Sequence, residues 1–460
     1  MTLLKTRQID FTQGSILRNA IIFTIPVFFA NIFSSLYSIV DATVCGQFVG
    51  SAALAAVSAS YALNMVLVAL CAGLGIGTSV VISQFYGAKR MDDVSRAIGT
   101  ALLSAVSICA VLSVTGFAAA RPLLQLLHTP EDILPDAVTY FRITMVGFAG
   151  QLLYGMSSGL LRGVGDSSFP AMCIVISSVL NIFLDLLFVA VFHWGVAGVA
   201  WATVLAQYLS ASLPLRRLLS RRYGYTVTRD CFRIRLTYLK TILRIGLFSA
   251  LNMMVTSLGL MLIQRCSNAF GTNLVAANGV VQKVDTFAQL PMTSIGGTIS
   301  TFCAQVMGAG EQHRAKAGAV KCILLACGIA LLIGGTVAIA AGPLLRLFIN
   351  KNDAGYAEVV SAGVRALRIL APFYLLYALE QGLFCILQGA GALRPAMMAT
   401  ALAMAIRVAL TFRFAGSGGS FDWLYWSTGL FYAALVVFYG LYLKFGSMQR
   451  YLVRQTCPEE

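Results

Sequence analysis

The chain has 460 residues, of which 58% are hydrophobic and only 11% are charged. Soluble globular domains carry about 25% charged residues, so this composition excludes an ordinary soluble enzyme or binding domain and indicates a membrane protein. The formal net charge of +15 would indicate a nucleic-acid partner only if the basic residues formed one tract or face.

Long apolar segments recur along the whole chain and predict an all-α polytopic protein with twelve transmembrane helices. A helix needs about 20 apolar residues to cross the hydrocarbon core, and charged or Gly/Pro-rich breaks separate the segments. No short apolar stretch with a cleavage site precedes the first segment, so we expect no cleaved signal peptide. In chain order the predicted spans are 16–43, 54–85, 94–120, 136–160, 168–192, 196–216, 241–266, 275–304, 317–342, 364–388, 395–414 and 422–444.

Basic residues concentrate in loops that a twelve-helix chain places on one side of the membrane. This is the positive-inside pattern, which predicts cytoplasmic termini and a multi-pass protein of the plasma (inner) membrane. It explains the basic excess by topology and argues against nucleic acid as a partner. The largest group lies between the sixth and seventh spans and comprises Arg216, Arg217, Arg221, Arg222, Arg229, Arg233, Arg235, Lys240 and Arg244.

Motifs of the first half of the chain recur in the second half at a nearly constant distance. Each half holds six spans, so both halves enter the membrane in the same direction, which predicts a parallel repeat about an axis along the membrane normal. We expect an N-terminal lobe (1–216), a basic linker (217–240) and a C-terminal lobe (241–460) around a cavity for alternating-access transport. The repeated motifs are Gln84-Phe-Tyr-Gly87-Ala88 with Gln305-Val-Met-Gly308-Ala309, Leu161-Arg-Gly163 with Leu387-Gln-Gly389, and Trp201-Ala-Thr203 with Trp426-Ser-Thr428, at offsets of 221, 226 and 225.

A carboxylate interrupts the fifth predicted span, in the stretch VLNIFLDLLF that starts at Val179. Ser178, Asn181 and Asp185 are spaced i, i+3 and i+7, so a helix places them on one face. A charged group at the bilayer centre costs about 2.5–3.5 kcal/mol on insertion scales. Such groups face a cavity or a partner, and the face is therefore a candidate functional site.

Motifs of the first half, together with Ala276-Ala-Asn-Gly-Val-Val-Gln282 in the second, resemble one transporter family, and the resemblance covers essentially the whole chain. Those of the first half are Val40-Asp41 followed by Gly46, Gln84-x-x-Gly87-Ala88, and Arg162-Gly163-x-Gly165-Asp166. On a six-plus-six repeat, these elements are similar to the multidrug and toxic compound extrusion (MATE) family, and within it to the DinF-like branch.

The resemblance implies a function and a site. It implies export of organic, often cationic or amphiphilic, compounds in exchange for Na⁺ or H⁺. It also implies a coupling-cation site in the first lobe, formed by Asp41, Asn181, Asp185 and Thr203. Two carboxylates that share a site titrate as a pair, so the site could exchange a proton or hold Na⁺; the sequence leaves the choice of ion open. Beyond that ion we expect neither metal nor cofactor.

The second half has lost the acidic pattern. At the repeat offset of 226, Arg407 stands where the first half has Asn181, and Thr411 stands where it has Asp185. We expect Glu380 to form a buried ion pair with Arg407; a substrate-facing role for Glu380 and Asp285 is the alternative. The NorM-like branch places acids on the seventh and tenth helices, and here the seventh has none.

Further residues are candidates for the cavity and its motion. Tyr37 could contact a flat cation through its ring, and Ser178 extends the polar face of the fifth span. Pro26 predicts a kink in the first helix, because proline removes one backbone hydrogen bond.

Two other functions compete with drug export. A flippase or exporter of a lipid-linked or other amphiphilic substrate belongs to the wider superfamily. A polytopic membrane enzyme would need a cluster of catalytic or metal-binding residues at one membrane face, and the eleven cysteines and three histidines form none. We therefore expect a monomeric transporter in the lipid bilayer whose partner is a small organic molecule, and no catalytic residues.

Overall fold

The computed structural model describes residues 8–49, 51–220, 223–349, 355–415, 419–446 and 451–452. Within these ranges the chain is helical and contains no strand. Arg221 and Arg222 of the basic group, and the ends of the two predicted lobes at 1–7 and 453–460, lie outside the described residues.

The helices follow the apolar segments of the sequence. Ten of those described are long and apolar enough to cross a membrane, and the two more polar ones, α5 and α9, pack among them to complete twelve. The helices are α1 Ile16–Val44, α2 Ser51–Ala59, α3 Tyr61–Gly87, α4 Met91–Leu126, α5 Leu134–Gly163, α6 Ser168–Asp185, α7 Gly195–Leu218, α8 Leu236–Asn268, α9 Thr272–Gly308, α10 Gln312–Arg346, α11 Tyr356–Ala390, α12 Leu393–Phe414 and α13 Trp423–Phe445. A 3₁₀ turn, Arg229–Cys231, lies between α7 and α8.

The second predicted span is two helices in the structure. Its continuity breaks at Ser60, whose N–H bonds the carbonyl of Val57, three residues earlier, rather than four. The short α2 ends there and α3 makes the crossing. Hydropathy alone does not report such a change in hydrogen-bond register.

The twelve helices form the two lobes that the repeat predicts. Buried side chains form two main apolar cores: one centres on α3, α4 and α5 with Phe85 and Phe148, and the other on α9, α10 and α11 with Phe302 and Tyr374. Large apolar side chains such as Ile339 are exposed on the outer surfaces, as expected where lipid replaces water.

Small residues let the lobes approach closely. Gly73 and Gly77 of α3 face α8, where a Cβ on either glycine would collide with backbone atoms of Gly246 or Ile242. Close packing of this kind is the usual way in which membrane helices associate, because lipid offers no hydrophobic driving force. The α3–α8 contact therefore depends on glycine at these positions.

The segment before α1 joins both lobes. Ile9 donates its N–H to the carbonyl of Gly165 in the first lobe at 3.0 Å. Phe11 is buried against Phe302 of the second lobe, with ring centroids 5.6 Å apart. The Arg314 side chain donates to the Phe11 carbonyl at 3.0 Å. We call this end of the molecule, where α1 begins and α13 ends, the termini end.

Candidate functional site

The first lobe contains a pair of buried carboxyl groups near the end opposite to the termini. Asp41 lies in the last turn of α1, and Asp185 is the last residue of α6 and has no exposed surface. The two carboxyl groups contact each other. The Oδ1 atom of each acid is buried and has no hydrogen-bond partner among the described residues. The pair therefore presents two free acceptor oxygens.

Asn181 and Thr203 complete this cluster. With the amide oriented so that both of its atoms are satisfied, Asn181 donates to Asp185 Oδ2 at 3.1 Å and accepts from the Thr203 backbone N–H at 3.3 Å. The Thr203 hydroxyl donates to the Val199 carbonyl within α7 at 3.1 Å. The structure thus brings Asp41, Asn181, Asp185 and Thr203 together from three helices, and their role in ion coupling remains a prediction.

Two tyrosines stand beside the acid pair. Tyr37, one turn before Asp41 on α1, lies next to both acids and in hydrogen-bond contact with Thr203. Tyr140 of α5 lies next to Tyr37, and no pattern in the sequence identified it as a residue of this site. Ser178 is buried on α6, but no hydrogen bond joins it to the four residues within the described chain, so it only extends the polar face.

Both acids stand where the helix widens. The hydrogen bonding of α6 changes to a π-helical pattern over Leu186–Val191, directly after Asp185, and α1 continues as a π-helix over Cys45–Val49, just beyond Asp41. Such π-helical turns are rare in proteins overall, and those that occur are often found at functional sites.

The cluster suits a hard monovalent cation or a proton. Two carboxylates, an amide and hydroxyl groups offer only oxygen ligands from side chains, the type that hard cations prefer. Two carboxylates in contact repel each other unless a proton or a metal ion lies between them. Among the described residues, His, Cys, Asp and Glu side chains form no group of three or more that could hold a metal ion.

The charged residues of the second lobe are arranged differently. Arg407 of α12 is buried and donates from Nη2 to Thr428 Oγ1 at 2.7 Å, and its guanidinium lies 5.5 Å from the Phe431 ring centre. Asp285 of α9 accepts from Gln289 at 2.8 Å and lies close enough to Arg407 to interact electrostatically, without an ion pair.

The predicted ion pair between Glu380 and Arg407 is wrong. No salt bridge of either residue occurs in the described part of the chain. Glu380 is buried on α11 near Tyr377, Tyr439 and Cys385, and both it and Arg407 lie near Tyr432 without contacting each other. Rotation about the helix axes, which repeat spacing does not fix, separates the two charges.

The lobes are closed against each other at the termini end. Gln84 Nε2 donates to the Gly389 carbonyl at 2.8 Å, and Gln305 Nε2 donates to the Gly163 carbonyl at 2.9 Å. The side-chain bonds between α1 and α9, Thr24–Thr298 and Asn31–Ser294, lie in the same half. No such bond joins the lobes in the other half within the described ranges.

Two crevices are seen in the first lobe. A polar one of about 180 Å³ lies between α1, α5 and α6 and contains Arg162. An apolar one of about 620 Å³ lies between α4, α5 and α7, and its walls include outward-facing residues such as Val114 and Phe117. The second therefore faces lipid.

Comparisons with known proteins agree with this architecture. The MatE family model matches residues 26–187 and 249–412, one match in each lobe. The probable multidrug resistance protein YoeA of Bacillus subtilis is 29% identical over 77% of this chain and 82% of its own length. An FAD transporter of Shewanella oneidensis is 25% identical over 68% of this chain and 70% of its own.

A solved structure shares the fold. A MOP superfamily transporter from Pyrococcus furiosus superposes with a TM-score of 0.88 over 97% of this chain and 99% of that one, at 21% identity. The match extends across both lobes, so the relative placement of the twelve helices is common to the two proteins.

Proposed function

The chain belongs to the MatE family, whose relatives include multidrug efflux transporters, and on this premise we propose that it is a secondary active antiporter. It exports organic, cationic or amphiphilic compounds in exchange for Na⁺ or H⁺. The lobes rock about the bound substrate so that the cavity opens to one side of the membrane at a time.

The buried acid pair is the observation that supports coupling. Asp41 and Asp185 each keep a free Oδ1, and two contacting carboxylates need a positive charge between them. An ion that enters the cluster thus stabilises the arrangement of α1 and α6 that binds it. A cation that moves inward gains about 2.3 kcal/mol per 100 mV of membrane potential, which can drive outward release of substrate.

The topology gives this cycle a direction. Under the positive-inside rule the basic loops and both termini are cytoplasmic, in the plasma (inner) membrane. The closure by Gln84 and Gln305 is then on the cytoplasmic side, which supports an outward-facing state, and we propose that the transporter acts as a monomer.

Transport by reconstituted protein tests the proposal. Efflux of an organic cation from proteoliposomes is measured with a Na⁺ gradient and a pH gradient imposed separately. Asp41→Asn and Asp185→Asn should abolish gradient-driven efflux, and Asp230→Asn, the same change at an exposed acid between the lobes, should retain it. Native rates in both buried variants would contradict the assignment.

A second candidate substrate is a compound that carries phosphate. The Shewanella relative is an FAD transporter, and the observation that favours an anionic compound here is Arg162, whose guanidinium lines the polar crevice. Efflux of FAD and of uncharged riboflavin from the same proteoliposomes separates this candidate from cation export.

A further inference from the structure

Arg162, in the last turn of α5, is a cation with no anionic partner in the part of the chain that the structure describes. Its one hydrogen bond within the described chain runs from Nε to the Ser158 carbonyl, at 3.4 Å. No carboxylate of the described residues lies within ion-pair distance, and the ionisable group nearest to it is the Tyr154 hydroxyl. The two terminal nitrogens are therefore available.

The crevice around Arg162 is lined by polar side chains and by no acid. Asn31, Tyr154 and Ser167 already donate hydrogen bonds to protein groups, so Arg162 is the main donor available to a ligand. The polar side chains in its wall are Asn31, Ser34, Tyr154, Ser158, Arg162 and Ser167. Ser158 and Ser167 are buried. Its volume of about 180 Å³ accommodates a carboxylate or phosphate group with some water, since a water molecule occupies about 30 Å³ of liquid.

The Arg162 side chain turns back along α5 and lies in the crevice wall. Its Nε donates to the Ser158 carbonyl, one turn earlier. The backbone that follows is held at the termini end, because the Gly163 carbonyl accepts from Gln305 of the other lobe. A guanidinium that lines a crevice without an anionic partner is a candidate ligand site.

We propose that this crevice binds an anionic group, carboxylate or phosphate, of the transported compound. The planar guanidinium offers paired N–H donors that match such groups. The inference rests on the proposed transport function. Asn31 and Asp41 are ten residues apart on α1, so the crevice lies roughly 15 Å from the acid pair. Substrate anion and coupling cation thus occupy separate sites that share α1 and α6.

Equilibrium binding to the purified full-length protein tests the proposal. The probes are a rhodamine with a free carboxylate and its ethyl ester, which differ in that one anionic group. Arg162→Gln introduces the residue that the repeat has at Gln388. It should weaken binding of the carboxylate probe by about tenfold or more and leave the ester within about twofold, while Arg162→Lys falls between them.

Controls separate the alternatives. Arg413→Gln, at an exposed arginine, should change neither affinity. Equal loss of both probes in Arg162→Gln would mean a structural role, and no loss would mean no site; either overturns the proposal. Failure of gradient-driven transport would overturn the proposed function instead, because binding needs no gradient.

A further arm identifies the source of the anion. The measurement is repeated in nanodiscs of phosphatidylcholine alone and with phosphatidylglycerol. Competition by the anionic lipid that disappears in Arg162→Gln supports the site with a lipid phosphate as occupant. Binding of the carboxylate probe that does not depend on lipid supports a free solute.

The termini end carries a second inference, from independent contacts. The two glutamine bonds are related by the repeat: Gln84 and Gln305 occupy equivalent positions, and so do their acceptors Gly163 and Gly389. Both glutamines are buried. Glycine is required beside them, because a Cβ on Gly308 would collide with the Gln84 carbonyl and one on Gly87 with that of Gln305.

We infer that these two reciprocal bonds hold the termini end shut and must break in each transport cycle. Gln84→Met with Gln305→Met keeps the side-chain length and removes both donors. Amide hydrogen exchange in residues 84–90 and 305–311 should become about tenfold faster or more, because two buried hydrogen bonds are lost. Gln207→Met, which makes the same change at a glutamine of α7, is the control and should leave exchange in both segments unchanged.

Unchanged exchange in the double variant would overturn this inference. If the double variant does not fold, the same exchange measurement is made on Gln84→Met alone. This single variant leaves intact the bond from the Phe11 N–H to Gln305 Oε1. Faster exchange confined to the two segments supports the closure, and a uniform increase across the chain contradicts it.

Discussion

The first lobe supports a pair of acids with Asn181 and Thr203, whereas the second lobe has Arg407 and Thr428 at the equivalent positions. The fold is repeated, yet a pair of acids occupies one lobe where the other holds a covalently attached cation. At the termini end, by contrast, the repeat is kept in detail. Symmetry is thus preserved where the lobes contact each other and lost at the buried polar cluster within each lobe.

The largest expected difference between the lobes is in ion coupling. Asp185→Asn removes a carboxylate from the proposed cation site, which should weaken ion binding by about 3 kcal/mol or more, roughly 100-fold. Asp285→Asn makes the same change in the second lobe and should leave ion-driven efflux within about threefold, below 1 kcal/mol. The initial efflux rate, measured against ion concentration, reports both effects, and equal losses in the two variants would contradict a functional difference between the lobes.

A smaller effect is expected on stability at Arg407. Arg407→Gln removes a charge-assisted hydrogen bond to Thr428, so the free energy of unfolding should fall by about 1.5–3 kcal/mol. Thermal unfolding in detergent measures it. The matched change Arg413→Gln, at an exposed site, should shift the melting temperature little, and an equal shift in both would show that the buried bond contributes nothing.

The two equivalent threonines should differ in how much they stabilise the protein. Thr428→Val leaves the Arg407 guanidinium without its acceptor and should cost about 1–3 kcal/mol of stability. Thr203→Val should cost less, about 0.5–1.5 kcal/mol, because the lost hydroxyl bonds only neutral groups, Tyr37 and the Val199 carbonyl. Asn181 keeps its bond to the Thr203 backbone. The melting temperatures of the two variants, compared directly, should differ in that order; the reverse order would refute the assignment.

The smallest effect is expected at Glu380. This side chain is buried without a salt bridge in the described chain, so Glu380→Gln keeps the shape and removes only the ionisable group. Efflux should change by less than about twofold, or 0.4 kcal/mol. A loss as large as that of Asp185→Asn would place a second coupling acid in the C-terminal lobe.

Much of this arrangement could be predicted from sequence, because lipid imposes a strict pattern on it. Apolar length predicted twelve helices, and the half-chain repeat predicted two lobes. The four residues Asp41, Asn181, Asp185 and Thr203, which family resemblance placed in one site, are adjacent in the structure. Their spacing alone could show only that Asn181 and Asp185 share a face.

Other features depend on geometry that residue patterns do not encode. The π-helical turns beyond Asp41 and Asp185 are a change in hydrogen-bond register, which hydropathy does not report. The Glu380–Arg407 pairing failed because the rotation of neighbouring helices was unknown. Tyr140 joins the cluster only through tertiary packing. Gln84 and Gln305 stood out as a repeated motif, but their partners lie in the opposite lobe and are in reach only when the lobes close.

The segment before α1 constrains the order in which the protein is assembled. Phe11 bonds Gln305, which is synthesised 294 residues later. At about 5–20 residues per second, ribosomal synthesis separates the two by roughly 15–60 s. During that interval Phe11 can pack on Phe23 of α1 but lacks its contacts with Phe302 and Gln305. The amino-terminal segment therefore cannot reach its final place until α9 is inserted. The first part of the chain to be made is thus among the last to reach its place.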